Sequence, residues 1–143
     1  MILCAFNIRG VGGTLKFRAL KPFIDKLKPD IILVQKTMCV GNRACEVFIR
    51  IFPGWELYAL DSNGLFGGLL AAWDPSIADL KSFSIFASLL MEGSIRGCDE
   101  IVKIVNRYAP FSRKRQYWNF VMDSGILSEH NLIFCRGLNF TIS

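Results

Sequence analysis

The apolar positions of this chain fall into short runs separated by polar breaks, and the period within each run predicts an element. Residues 2–7, ILCAFN, read as a buried first strand that stops at Asn7. Residues 14–28 place Leu20, Phe23, Ile24 and Leu27 on one side of a helix, with Thr14 as its cap. Pro22 opposes a continuous helix there by about 3 kcal/mol, which predicts a kink or a shorter helix. Lys28, Pro29 and Asp30 end that helix and deliver the chain to Ile31, Ile32, Leu33 and Val34, a buried strand finishing in Gln35, Lys36 and Thr37. A second helix is predicted over 43–51, and strands over 55–60, 67–74, 79–86, 89–96 and 100–108. The turn signals DSNG (61–64) and DPS (74–76) divide them. The strand at 100–108 alternates, with Val102, Ile104, Asn106 and Tyr108 on one face and Lys103 and Arg107 on the other. Residues 112–127 return to helical spacing, and 131–135 form a last apolar strand.

The order is βαβα, a strand meander, then αβ. It predicts an α/β (α+β) sandwich in one domain, with sheet facing sheet and helices outside. Composition agrees: 52% hydrophobic and 20% charged residues point to a packed core rather than disorder. No run approaches the roughly 20 apolar residues that span a bilayer, so no membrane association is expected. The apolar start lacks the basic flank of a signal peptide. The five cysteines are odd in number and form no CxxC pair, which reads as reduced thiols in a nuclear or cytoplasmic compartment.

The net charge of +5 is unevenly placed. Residues 1–28 hold Arg9, Lys16, Arg18, Lys21, Lys26 and Lys28 against Asp25 alone. Residues 103–115 hold Lys103, Arg107, Arg113, Lys114 and Arg115 with no acid. Two such clusters suit a polyanion, and equally suit ordinary solvated faces. Polar residues also end the buried strands: Asn7, then Gln35 and Lys36, then Asn106 and Tyr108, then Asn139. Chemistry in layered α/β folds often sits at such ends, although an Asn there is commonly a turn former.

Five blocks in order carry a resemblance: FNIRGVGG (6–13), KPDIILVQKT (28–37), GLFGGLLAAWDPS (64–76), VNRYAP (105–110) and CRGLNFTIS (135–143). Together they resemble the endonuclease/exonuclease/phosphatase superfamily, with its deoxyribonuclease-I-like two-sheet core flanked by helices. More narrowly they resemble the endonuclease domain of plant LINE-type retrotransposons. The resemblance implies Mg²⁺-assisted phosphodiester hydrolysis of DNA, with no small-molecule cofactor. It implies catalytic roles for Asn7, Tyr108 and Asn139, and a metal held by Asn7 and a Glu at the end of the second strand. The two basic clusters add candidate nucleic-acid contacts at Arg9, Arg107, Arg113, Lys114 and Arg115.

The chain departs from the family pattern where the chemistry is most demanding. Lys36 stands in place of the metal-ligand Glu, and Gly137 in place of the catalytic Asp. Phe6 replaces a usual Trp, and Phe66 a usual Ser. An ammonium has no lone pair for Mg²⁺ and repels it. At ~4 Å and an effective dielectric near 20, two unit charges interact by about 4 kcal/mol, doubled for a divalent ion. The resemblance covers only the N-terminal portion of the family domain, so residues 1–143 read as a partial domain without the family's C-terminal His. The expectation is a degenerate LINE-type endonuclease, inactive and binding no metal. The alternatives are a residual nucleic-acid-binding module and an active phosphatase of the same superfamily. Truncation further predicts that inward residues such as Leu69, Ala71 and Trp73, or the strand at 131–135, are incompletely covered.

Overall fold

The computed structural model describes residues 1–8, 14–37, 41–61, 68–85, 88–108, 115, 119, 122, 123, 125 and 131–137. The elements are β1 (Leu3–Asn7), α1 (Thr14–Leu27), β2 (Ile31–Gln35), α2 (Gly41–Ile51), β3 (Glu56–Leu60), β4 (Leu69–Trp73), β5 (Ala78–Ile85), β6 (Ser88–Ile95), β7 (Val102–Tyr108) and β8 (Leu132–Gly137). The predicted helix over 112–127 lies outside the described residues, apart from helical positions at Arg115, Asn119, Met122 and Asp123.

Two four-stranded mixed sheets face each other, ordered β1-β2-β4-β3 and β5-β6-β7-β8. Each has one parallel pair at an edge, β1 with β2 and β7 with β8, and antiparallel pairs elsewhere. A parallel pair needs a long crossover, and α1 supplies the one between β1 and β2.

Strand alternation builds two cores. Ile31, Leu33, Leu69, Ala71 and Trp73 point across to Ala78, Leu80, Leu89, Met91, Ile95, Val102 and Ile104 on the other sheet. Ile32, Val34, Leu70 and Ala72 point the opposite way, onto Ile24, Ala44, Val47, Phe48 and Phe52 of the helical layer. β2 and β4, buried at every position, are therefore covered on both faces, which explains their unbroken apolar sequences. Gly93 lies where β5 comes closest: a Cβ there would meet the Asp79 carbonyl oxygen at 1.9 Å.

Three expectations need correction. Leu69, Ala71 and Trp73 are 3%, 0% and 6% exposed, so the facing sheet covers them fully; Leu132 to Cys135, on an edge strand, stay half-buried. The helix containing Pro22 is not shortened: it runs from Thr14 to Leu27. Pro22 and Arg18 are both exposed, so water can take the Arg18 carbonyl that loses its intrahelical donor. Of the four apolar residues assigned to one side, only Leu20 and Ile24 pack inward, while Phe23 and Leu27 are exposed. The sheet and α2 cover a stripe narrower than the sequence spacing suggests.

Candidate functional site

The ends of β1, β2 and β7 meet through a buried polar junction. Asn7 is the register partner of Gln35, and the Ile8 amide donates to the Gln35 carbonyl at 3.2 Å. The Gln35 side chain, 3% exposed, points across to the other sheet. Its Nε2 donates to Asn106 Oδ1 at 3.2 Å and to the Arg107 carbonyl at 2.8 Å. Asn106, fully buried, donates through Nδ2 to the Val34 carbonyl at 3.3 Å and the Leu70 carbonyl at 3.1 Å. Both protons of both amides are used, so two groups that would be destabilising alone become a clamp from β7 onto β2 and β4.

Lys36 follows this clamp directly. It is half-buried with φ +58°, a left-handed conformation that non-glycine residues rarely adopt. Its neighbours hold it there: Gln35 by the clamp, and Thr37, 1% exposed, by an amide donated to the Gly68 carbonyl at 3.2 Å. Asn7 is exposed on the inward-alternating face of β1, beside the same end. Tyr108 ends β7, and its register partner is Gly137, the end of β8. Asn7, Lys36, Tyr108 and Gly137 therefore come to one end of the sandwich.

The other expected site residues divide. Arg9, Arg113, Lys114 and Asn139 lie outside the described residues. Arg115 is exposed. Arg107 is a correction: it is 1% exposed, with Nη1 donating to Ser88 Oγ at 3.3 Å, so it is not presented to a solvent-borne nucleic acid. Alternation put it on an outer face, and that face is covered here. The clamp was not anticipated either; its signal was a Gln ending an apolar strand and an Asn on the same face of β7 as Val102 and Ile104. Of the cysteines, burial pushes the Cys4 and Cys135 thiols above their ordinary pKa, which keeps them protonated.

This arrangement resembles known structures over nearly its whole length. An endonuclease/exonuclease/phosphatase family protein from Bacteroides thetaiotaomicron matches 95% of the chain with a TM-score of 0.68 and 10% identity. The endonuclease domain of TRAS1, a telomere-specific non-LTR retrotransposon, matches 96% with a TM-score of 0.67 and 14% identity. TDP2 from D. rerio, complexed with a single-strand DNA product, also matches 96% with a TM-score of 0.67 and 14% identity. The chain has the deoxyribonuclease-I-like two-sheet fold of these structures. It spans 62%, 60% and 60% of these three structures respectively, and 46% of TDP2 from C. elegans. No family model and no curated protein matches the sequence. No helix among the described residues is long and apolar enough to cross a membrane.

The Mg²⁺ that the sequence resemblance implies does not fit the residues described at these strand ends. Mg²⁺ takes oxygen ligands in near-octahedral geometry and relies on carboxylates. The strand ends offer the Asn7 amide, an ammonium at Lys36 and no side chain at Gly137. Among the described residues, no group of three or more His, Cys, Asp or Glu is placed to hold a metal ion.

Proposed function

We propose that this chain is part of a LINE-type endonuclease domain that contacts DNA but has lost metal-dependent phosphodiester hydrolysis. The observation that carries this reading is Lys36, fixed beside Asn7 at the strand ends where the sequence resemblance calls for a metal-binding carboxylate. Gly137, the partner of Tyr108, removes a second carboxylate at the same end. A general base is typically worth 10²–10⁴ in rate, and the metal's charge stabilisation comes on top of that. The likeness to a retrotransposon endonuclease and to a protein bound to single-strand DNA supports the DNA-directed part of the reading. It favours a nucleic-acid substrate over a small phosphorylated molecule.

The test is nicking of supercoiled plasmid in Mg²⁺ and in Mn²⁺. The expected result is no relaxed product above a protein-free control. Nicking that follows the protein through purification and disappears in Asn7→Ala would contradict the proposal.

A further inference from the structure

We propose that the β1 edge is a dimerisation surface, on which β1 of a second copy of this chain pairs antiparallel and joins two β1-β2-β4-β3 sheets into one. β1 ends its sheet, with β2 on one side and no strand among the described residues on the other. The Ile2 carbonyl accepts from the Asp30 and Ile31 amides, and the Ile8 amide donates to the Gln35 carbonyl. Even-numbered residues therefore turn their backbone groups to β2, and Leu3, Ala5 and Asn7 turn theirs to the open edge. Such a row of amides and carbonyls is a template for another strand, and proteins blunt it with charge or proline. The other three edge strands carry charge: Glu56 on β3, Asp79 and Lys81 on β5, and Arg136 on β8. β1, with the sequence LCAFN, has neither charge nor proline.

The layers on either side of β1 are apolar as well. Lys21 lies 5.9 Å from the centre of the Phe52 ring, just after α2, which sets that side of α1 towards α2. At roughly 3.6 residues per turn, Phe23 and Leu27 fall on the opposite flank. α2 sits over β3 and β4, so this flank of α1 overhangs β1. Phe23, Leu27 and Ile2 are all exposed there. Between the sheets, Ala5 is exposed and Leu3 is half-buried.

A second copy meets each of these features with its own counterpart. A two-fold axis through Ala5, perpendicular to the sheet, sets Leu3 opposite Asn7 of the second copy and Ala5 opposite Ala5. Each facing pair exchanges two hydrogen bonds, so every outward group of Leu3, Ala5 and Asn7 finds a partner. The α1 flanks come side by side on one face of the joined sheet. Ala5, the smallest side chain of the strand, sits on the axis, and no side-chain charge within either strand opposes the pairing. The added strand must be apolar on both faces, as β2 and β4 are where they are covered on both. β1 itself meets that requirement, with Leu3 and Ala5 on one face and Cys4 and Phe6 on the other.

The experiment is sedimentation equilibrium of the chain over a concentration series, with amide hydrogen exchange on the same samples. The parent is expected to reach twice its 16.1 kDa mass and no more. The Leu3, Ala5 and Asn7 amides are expected to exchange more slowly as the dimer forms. Ala5→Pro deletes the central donor of each copy at an edge position where β2 does not use it. It is expected to raise the dimer dissociation constant at least about tenfold. Ala5→Lys keeps every backbone group but sets two ammoniums on the axis, and is expected to weaken the dimer as much. Phe83→Lys, at an exposed apolar position on the β5 edge of the other sheet, is expected to leave the constant within about twofold. A parent that stays monomeric, as it would if the edge served a different protein, would overturn the inference. So would growth beyond the dimer, fast exchange at Leu3, Ala5 and Asn7 in the dimer, or a dimer indifferent to both Ala5 variants.

Discussion

Two lysines in left-handed backbone have different explanations at the residue scale. Lys28, φ +48°, is the residue at which α1 terminates, its amide still donating to the Ile24 carbonyl at 2.8 Å, and Pro29 follows. Glycine is the usual occupant of such a terminus. Replacing Lys28 with glycine relieves about 1 kcal/mol of steric cost. It also forfeits a favourable charge at the helix C-terminus worth roughly 0.3–1 kcal/mol. The steric term is the larger, so Lys28→Gly is expected to raise the midpoint of thermal unfolding slightly, by about 1–2 °C. A fall in that midpoint would show that Lys28 makes a contact worth more than the strain. Lys36 has no helix to terminate. Its strain comes from two anchored neighbours, which is why it marks the candidate site and Lys28 does not.

At the scale of elements, the Gln35–Asn106 clamp does what apolar packing cannot: it fixes the register of one sheet against the other. Asn106 donates to carbonyls on β2 and β4, and Gln35 donates back to β7. Removing Asn106 strands two carbonyls and one donor, so Asn106→Ala is expected to destabilise by about 3 kcal/mol. Gln35→Ala strands fewer groups and is expected to destabilise by about 2 kcal/mol. The double variant is expected to lose less than the sum by at least ~0.5 kcal/mol in urea unfolding. Strict additivity would show that the two amides act independently. The elements themselves were largely legible in the sequence. β2 and β4 announced themselves as continuous apolar runs, and β7 by alternation, because covered strands carry those patterns. The clamp was not legible, since sequence places polar residues at strand ends without saying which ends meet. The burial of Arg107 was hidden for the same reason: alternation assigns a face and does not say whether something covers it.

For the whole molecule, the sandwich brings Asn7, Lys36, Tyr108 and Gly137 together from four strands in two sheets. Ordered sequence blocks led to the expectation that Asn7, Lys36, Tyr108 and Asn139 converge; register sets Asn7 beside Gln35 and Tyr108 beside Gly137, while Asn139 lies outside the described residues. The strain at Lys36 was not foreseeable, because it depends on what holds Gln35 and Thr37 in place. The central claim is that the frame persists while its strand-end site no longer accepts a divalent cation. A Mn²⁺ titration followed by electron paramagnetic resonance tests it most directly, comparing the parent chain with the double variant Lys36→Glu, Gly137→Asp. The account predicts no specific Mn²⁺ site in the parent and one site in the double variant, where carboxylates return beside Asn7. A parent chain that binds one equivalent of Mn²⁺, and loses it in Asn7→Ala, would contradict the account.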